Sequence, residues 1–263
     1  MALGNYTEDS FAYRGKSRRV FRRGIGPAVI VIAEVPGITP EVVAFADRVQ
    51  ELGCTAVLPH LFGEPGEPAS GGNATQVLAW CCVSREFATL AAGRTSAVTD
   101  WLRALGRHEL ARCGGPGIGA VGMCMTGGFA LAMMVDDGVL APVLSQPSLP
   151  FPVSRRHRRE LGISTADLEA VRERAAAGVE VLGLRFTGDI ACPPERFERL
   201  RQELGDSFIG VEIDSSPGNP HGIRKRAHSV LTDDFVDEPG HPTRDAMDQV
   251  LGFLRVKLVA PAA

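Results

Sequence analysis

Among the residues of this 263-residue chain that could carry covalent chemistry, Cys124 stands in the most informative setting. It lies in Ile118-Gly119-Ala120-Val121-Gly122-Met123-Cys124-Met125-Thr126-Gly127-Gly128, where a β-rich run gives way to small residues and then to an apolar helical pattern. A strand-to-helix turn with a small residue two positions before its apex projects a nucleophile from a strained backbone. The helix that follows would aim free N–H groups and its positive end at the sulfur, favouring the thiolate, which is the competent nucleophile. In that geometry the backbone N–H of Met125 faces a developing oxyanion. An ordinary buried cysteine is the competing reading of the same residue. Gly117, Gly119 and Gly122 also fit GxGxxG, but they precede and occupy the strand, whereas a dinucleotide fingerprint follows the strand and opens the helix.

The elements that must position Cys124 alternate in type. Ala28 to Ala33 is an unbroken run of strand formers, the pattern of a strand buried on both faces. Pro40 opens a helical pattern through Val42, Val43, Phe45, Ala46, Val49 and Leu52 that closes at Gly53, and a second strand, Thr55 to Leu58, follows. This βαβ order predicts an α/β fold with a mostly parallel central sheet, right-handed crossovers and helices on both faces. Downstream we read a helix at Ala97 to Leu105, strands at Ile118 to Met123 and Val139 to Leu144, and between them a helix at Gly127 to Val135. A strand at Val179 to Phe186, a helix at Pro194 to Leu204, a strand at Phe208 to Ile213 and a terminal helix at Thr243 to Leu258 complete the alternation. Prolines at 142, 147, 150 and 152 and the basic run Arg155 to Arg159 interrupt it before a helix capped near Ser164 or Thr165. One domain over residues 1–263 is expected, with an excursion at 145–176 that is either a lid or an interface. The polar start, Met1 to Arg23, receives no element.

Bulk properties narrow the partners. With 28 Lys and Arg against 31 Asp and Glu, the formal net charge of -3 supplies no basic field for nucleic acid or acidic membranes, so a small molecule is the expected partner. The six cysteines lack the repeated spacing of a zinc site, and no metal is expected. The opening segment carries Glu8, Asp9 and several arginines where a secretory leader would be apolar. No apolar run approaches the roughly 20 residues of a membrane-spanning helix. A soluble, cytoplasmic protein with reduced thiols is therefore expected.

Four separated stretches resemble the dienelactone hydrolase family, whose members are cysteine-dependent and share the α/β-hydrolase fold. They are Ala33-Glu34-Val35-Pro36-Gly37, Ala56-Val57-Leu58-Pro59-His60-Leu61-Phe62, the Gly-x-Cys turn, and Gly188-Asp189 after the later strand. The resemblance implies that Glu34 helps to generate the thiolate, that the Val35 N–H completes the oxyanion hole with that of Met125, and that Asp189 is the acid of a triad. Asp189 leaves the carboxyl end of a predicted strand, the edge where open α/β sheets bind ligands, although Asp beside Gly also shapes turns. Two histidines compete for the third place. Ala227-His228-Ser229-Val230 is the better match to the family loop, while His221, in Asn219-Pro220-His221-Gly222, lies closer to the strand. Arg85 matches an arginine that holds a substrate carboxylate in the family.

Two departures bear on what the resemblance carries over. Thr126 stands where the family usually has Gly, and no arginine follows His228 in Ser229 to Asp233. The expected function is accordingly hydrolysis of a small ester or lactone, in general terms, by a carboxylic ester hydrolase similar to carboxymethylenebutenolidase. It would proceed through a Cys-His-Asp triad and a covalent thioester, with no cofactor. Two other functions fit the same residues: a non-catalytic binding module on this fold, or a thiol redox sensor with Cys113 or another thiol as resolving partner. Whether the chain forms a homo-oligomer is open.

Overall fold

The computed structural model describes residues 3–84, 86–87, 90 and 92–259. Eight strands form one sheet: β1 (Thr7–Tyr13), β2 (Lys16–Arg23), β3 (Ala28–Ile32), β4 (Thr55–Pro59), β5 (Ile118–Met123), β6 (Val139–Ser145), β7 (Val181–Phe186) and β8 (Phe208–Ile213). Their order is β1-β2-β4-β3-β5-β6-β7-β8, with β1 and β2 antiparallel to their neighbours and the rest parallel. Among the described residues, eight α-helices accompany them: α1 (Pro40–Glu51), α2 (Gly71–Val83), α3 (Val98–Cys113), α4 (Gly127–Met133), α5 (Arg155–Arg159), α6 (Thr165–Ala176), α7 (Pro194–Leu204) and α8 (Pro242–Leu258).

Period-two alternation explains why the central strands are apolar throughout. Ile30 and Ile32 of β3 enter a core with Leu102, Leu105 and Phe129, whereas Val29 and Val31 enter another with Val42, Phe45 and Val250. Helices α3 and α4 thus cover one face, α1 and α8 the other. Local chemistry sets the boundaries. The Thr39 hydroxyl caps α1 by accepting from Val42 N at 3.4 Å, with Pro40 in the first turn. Ser164 caps α6 at 3.1 Å, and the His241 ring caps α8. Among the described residues, no helix is long and apolar enough to cross a membrane.

The observed elements depart from expectation in four places, one of them the short helix α5 inside the basic run that interrupts the expected alternation. The polar start forms the hairpin β1–β2, joined by Arg14 (φ 46°) and Gly15 (φ 75°), two left-handed residues that suit a two-residue hairpin turn. Its strands are largely exposed, so charge masks the alternation. Helix α2 has no strong apolar face and opens on two glycines; Ser70 and Asn73 close a reciprocal capping box that starts it. Helix α3 runs to Cys113 rather than Leu105, because Glu109, which breaks the apolar stripe, is buried against Arg22 of β2.

Candidate active site

The parallel register brings the expected residues to one edge. Ile32 of β3 pairs with Gly122 of β5, and Met123 pairs with Ser145 of β6. Two residues beyond Ile32, Glu34 comes level with Cys124, and Gln146 follows Ser145 on the other side. The chain leaves β3 toward β4 on one side and returns to β5 on the other, so the crevice between Glu34 and Cys124 lies at a topological switch point.

Cys124 has φ 54°, a left-handed conformation that costs a non-glycine residue about 1–3 kcal/mol. A single 3-10 turn, Cys124–Thr126, precedes α4. A Cβ at Gly122 would lie 2.2 Å from the Thr126 carbonyl oxygen, so only glycine allows the turn to close. Thr126, where the family usually has Gly, is turned away from the site. Its buried hydroxyl accepts from Met123 N at 2.9 Å and donates to Ile32 O at 2.8 Å, tying the turn to β3 instead of facing the site.

Asp189 leaves β7 and is buried. One carboxylate oxygen accepts from Ala191 N at 2.8 Å and the other meets His228 Nδ1 at 2.7 Å, so this residue both shapes its turn and holds the imidazole. A Cβ at Gly188 would lie 2.1 Å from the Lys225 carbonyl oxygen, and its absence lets the β7 turn approach the histidine loop. His228 is the histidine that meets Asp189; His221 is exposed, its ring packed edge-on against His241. The loop is pinned by Asp234, which accepts from the backbone N–H groups of His228 (2.8 Å) and Ser229 (3.1 Å) and from Arg224. Burial alone would raise the Asp234 carboxyl, but Arg224 and these N–H groups bring it below the usual carboxylate range.

Glu34 is buried. Its oxygens accept from Ser229 Oγ (2.8 Å), Gln146 Nε2 (3.1 Å) and the Thr232 hydroxyl. Burial raises its pKa above the ordinary value, against the lowering effect of Thr232, His228 and Ser229. For His228, burial pulls the imidazole down, but the Cys124 sulfur and Asp189 carboxylate outweigh it and hold the ring well above its ordinary value. One ligand atom each from Glu34, Cys124 and His228 lie within 4.8 Å of one another, the one group of metal-ligand spacing among the described residues. The hydroxyl and amide donors aimed at Glu34 satisfy a carboxylate without a cation.

Sequence reasoning missed Gln146, Ser148, Ser229, Thr232 and Asp234. The polar run Ser145 to Ser148 at the carboxyl end of a predicted strand was the available signal for the first two. Arg85 lies outside the described residues. Val35 is half-buried beside Glu34, and the chain continues through Pro36 and Gly37 into the wall of a 380 Å³ cavity. Phe62, Glu64, Glu67, Val77 and Trp80 also line this cavity; Cys124, Asp189 and His228 do not.

Eight strands in this order, with a strained cysteine after β5, an aspartate after β7 and a histidine beyond β8, define an α/β-hydrolase fold. The family model of the dienelactone hydrolase family matches residues 13–256, and the chain belongs to that family of hydrolases. A Klebsiella pneumoniae subsp. pneumoniae protein provisionally named a dienelactone hydrolase superposes with TM-score 0.64 at 17% identity, covering 95% of this chain and 97% of that one. A dienelactone hydrolase-like promiscuous phosphotriesterase from metagenomic libraries gives 0.59 at 14%, covering 97% and 100%. A cold-adapted esterase from an Arctic intertidal metagenomic library gives 0.60 at 14%, covering 96% and 94%. At such identities the likeness is one of fold. No curated protein matches the chain in sequence.

Proposed function

We propose that the protein hydrolyses a small carboxylic ester or lactone, with Cys124 as the nucleophile. The observation that carries this reading is the convergence of Cys124, at the apex of a strained turn, with His228 held by Asp189 at 2.7 Å. The thiolate attacks the carbonyl carbon, and the N–H groups of Val35 and Met125 receive the oxyanion. Collapse expels the alcohol, which takes a proton from His228 Nε2, and leaves a thioester on Cys124. Water then attacks the thioester as Nε2 accepts its proton, releasing the acid and restoring the sulfur. Asp189 keeps Nε2 facing the sulfur by engaging Nδ1. A Glu34 oxygen lies within 4.8 Å of both the sulfur and a ring nitrogen of His228, and in this reading its charge disfavours the neutral ring and supports the proton on His228 when the thiolate forms.

The cavity beside Val35 disfavours an anionic group on the substrate, since its described lining carries Glu64 and Glu67 and no lysine or arginine. The segment 145–176 serves here as a fixed wall instead of a lid. The buried Arg196 guanidinium of α7 donates to the carbonyls of Pro147 (2.6 Å), Pro150 (2.7 Å) and His157 (3.1 Å), straddling its first half. A redox role is less well supported. Cys113 precedes β5 and Cys124 follows it, about 16 Å of strand apart at 3.3 Å per residue, and burial pushes Cys81 and Cys192 up to about 12.

The test is Cys124→Ala against a panel of p-nitrophenyl esters and lactones, with mass spectrometry of the quenched wild type. Hydrolysis should fall by about 10³-fold or more, and the wild type should carry one acyl group on Cys124. Unchanged hydrolysis by the variant would sink the reading.

A further inference from the structure

Ser148 is assigned no role by the family resemblance or by the scheme above, yet its hydroxyl lies beside both reacting side chains, which also face each other directly. It lies just beyond β6 and is 1% exposed. Its N–H donates to the Cys124 carbonyl oxygen at 2.9 Å, which joins it to the turn itself. Its hydroxyl oxygen stands 3.6 Å from Cys124 Sγ, 3.5 Å from His228 Nε2 and 3.0 Å from the Gln146 carbonyl oxygen.

The surroundings hold this position firmly. Gln146 has φ 36° and donates its N–H to Leu184 O at 2.7 Å, strapping the segment to β7. Arg196 grips the Pro147 carbonyl at 2.6 Å, and a Cβ on Gly127 would come within 2.7 Å of Pro147 Cα. With the backbone pinned from three sides, the freedom left to Ser148 is mainly rotation of its hydroxyl. That hydroxyl has one proton to give and two lone pairs to receive with.

We infer that Ser148 is a third catalytic group, a hydroxyl that bridges His228 Nε2 and Cys124 Sγ and stabilises the thiolate before attack. The inference rests on the reading of Cys124 as the nucleophile. In the resting pair the hydroxyl donates to the sulfur while its oxygen accepts from the imidazolium Nε2–H. The same path carries the proton when the pair forms: the thiol proton passes to Oγ as the serine's own proton passes to Nε2. Thiol, serine and imidazole thereby become thiolate, serine and imidazolium, with nothing gained or lost. Once the sulfur is acylated and uncharged, the hydroxyl turns to the Gln146 carbonyl and frees Nε2 for water. The simpler alternative is that Ser148 only satisfies that carbonyl and fills space.

Among the described residues, the titratable groups facing the sulfur are His228 from the β8 loop, Glu34 after β3 and Cys81 on α2, with Asp189 behind the imidazole. Removing a neutral hydroxyl leaves all of them in place, so a shift can be attributed to it. The experiment is the rate of iodoacetamide alkylation at Cys124 from pH 5 to 10 in full-length wild type, S148A and S148T. Peptide mass mapping separates Cys124 from the exposed Cys82.

In S148A the profile should move up by about one pH unit, with alkylation near neutrality about tenfold slower. Threonine, which keeps the hydroxyl, should restore most of the rate. A pre-steady-state burst with a p-nitrophenyl ester should show acylation slowed more than deacylation. If alanine does not fold, S148G, which adds no atom to the site, is read in the same way. A folded alanine or glycine variant whose alkylation profile superposes on the wild type overturns the inference and leaves Ser148 a packing residue. Because alkylation needs no turnover, this outcome is separate from undiminished ester hydrolysis by C124A, which would overturn the proposed function instead.

Discussion

Two glutamates are buried among the described residues, and they are handled in opposite ways. Glu109 of α3 is fully buried beneath the hairpin and meets a guanidinium: Arg22 donates to one of its oxygens through Nε (2.9 Å) and Nη2 (2.6 Å), and Arg112 approaches the other at 3.3 Å. Glu34, at the carboxyl edge of the sheet, is given two hydroxyls and an amide and no arginine or lysine. The first carboxylate is neutralised in place. The second is oriented by neutral donors, and the cationic partner within reach is His228. A charge balanced by a fixed guanidinium can stabilise a fold but has little left to offer a reaction, whereas a charge balanced by a proton on histidine remains coupled to the chemistry. On the proposed function, the difference separates a structural ion pair from one coupled to catalysis.

Exchanging the two should break this comparison most visibly. Glu109→Gln leaves the buried Arg22 guanidinium with only the exposed Asp9 carboxylate, 3.6 Å away, and should cost about 3 kcal/mol in chemical denaturation, with ester hydrolysis per folded molecule unchanged. Glu34→Gln removes a charge that burial already disfavours, so stability should stay within about 1 kcal/mol while hydrolysis falls by about tenfold or more. Comparable losses of stability in the two variants, with comparable activities, would erase the distinction.

A smaller effect sharpens it. Asp234 never approaches the reacting atoms but holds the backbone of His228 and Ser229, and through Ser229 the orientation of Glu34. Asp234→Ala should lower kcat by about tenfold with a modest change in KM, because a small misplacement of the imidazole is costly. An unaltered kcat would mean that Asp189 alone positions the ring.

The smallest effect is on stability against pH. His228 binds its proton more tightly in the folded state than in the unfolded one. Its contribution is therefore fully present below about pH 6.5, the ordinary histidine value, and is lost as pH rises through the folded value. Urea midpoints measured from pH 6 to 10 should decline over that window, and His228→Gln should flatten the decline. An identical slope in the variant would place the titration elsewhere.

Much of the site was legible in the residues because each main component ends a strand. Cys124, Glu34 and Asp189 follow runs of strand formers, and in a parallel sheet the carboxyl ends of such runs share one edge. The partners that orient these groups were far less visible. Thr232 and Ser229 reach Glu34 from about 195 residues away, a separation of 198 and 195 positions, and no local pattern encodes that meeting. The hairpin and α2 were missed for a different reason: exposed charge in the one and glycine in the other's first turn hide the periodicity that burial imposes. In α3 the buried Glu109 broke the apolar stripe.

By itself, then, the order of residues determined the α/β class, the strained turn at Cys124 and the small set of groups that could serve it, since local sterics and hydrophobic period are properties of neighbours in the chain. Tertiary structure decided which histidine meets Asp189, what surrounds Glu34, and that Thr126 faces β3. Those outcomes depend on sheet register and on the path of the loop after β8, where residues remote in sequence arrive within hydrogen-bond distance and burial fixes their charge.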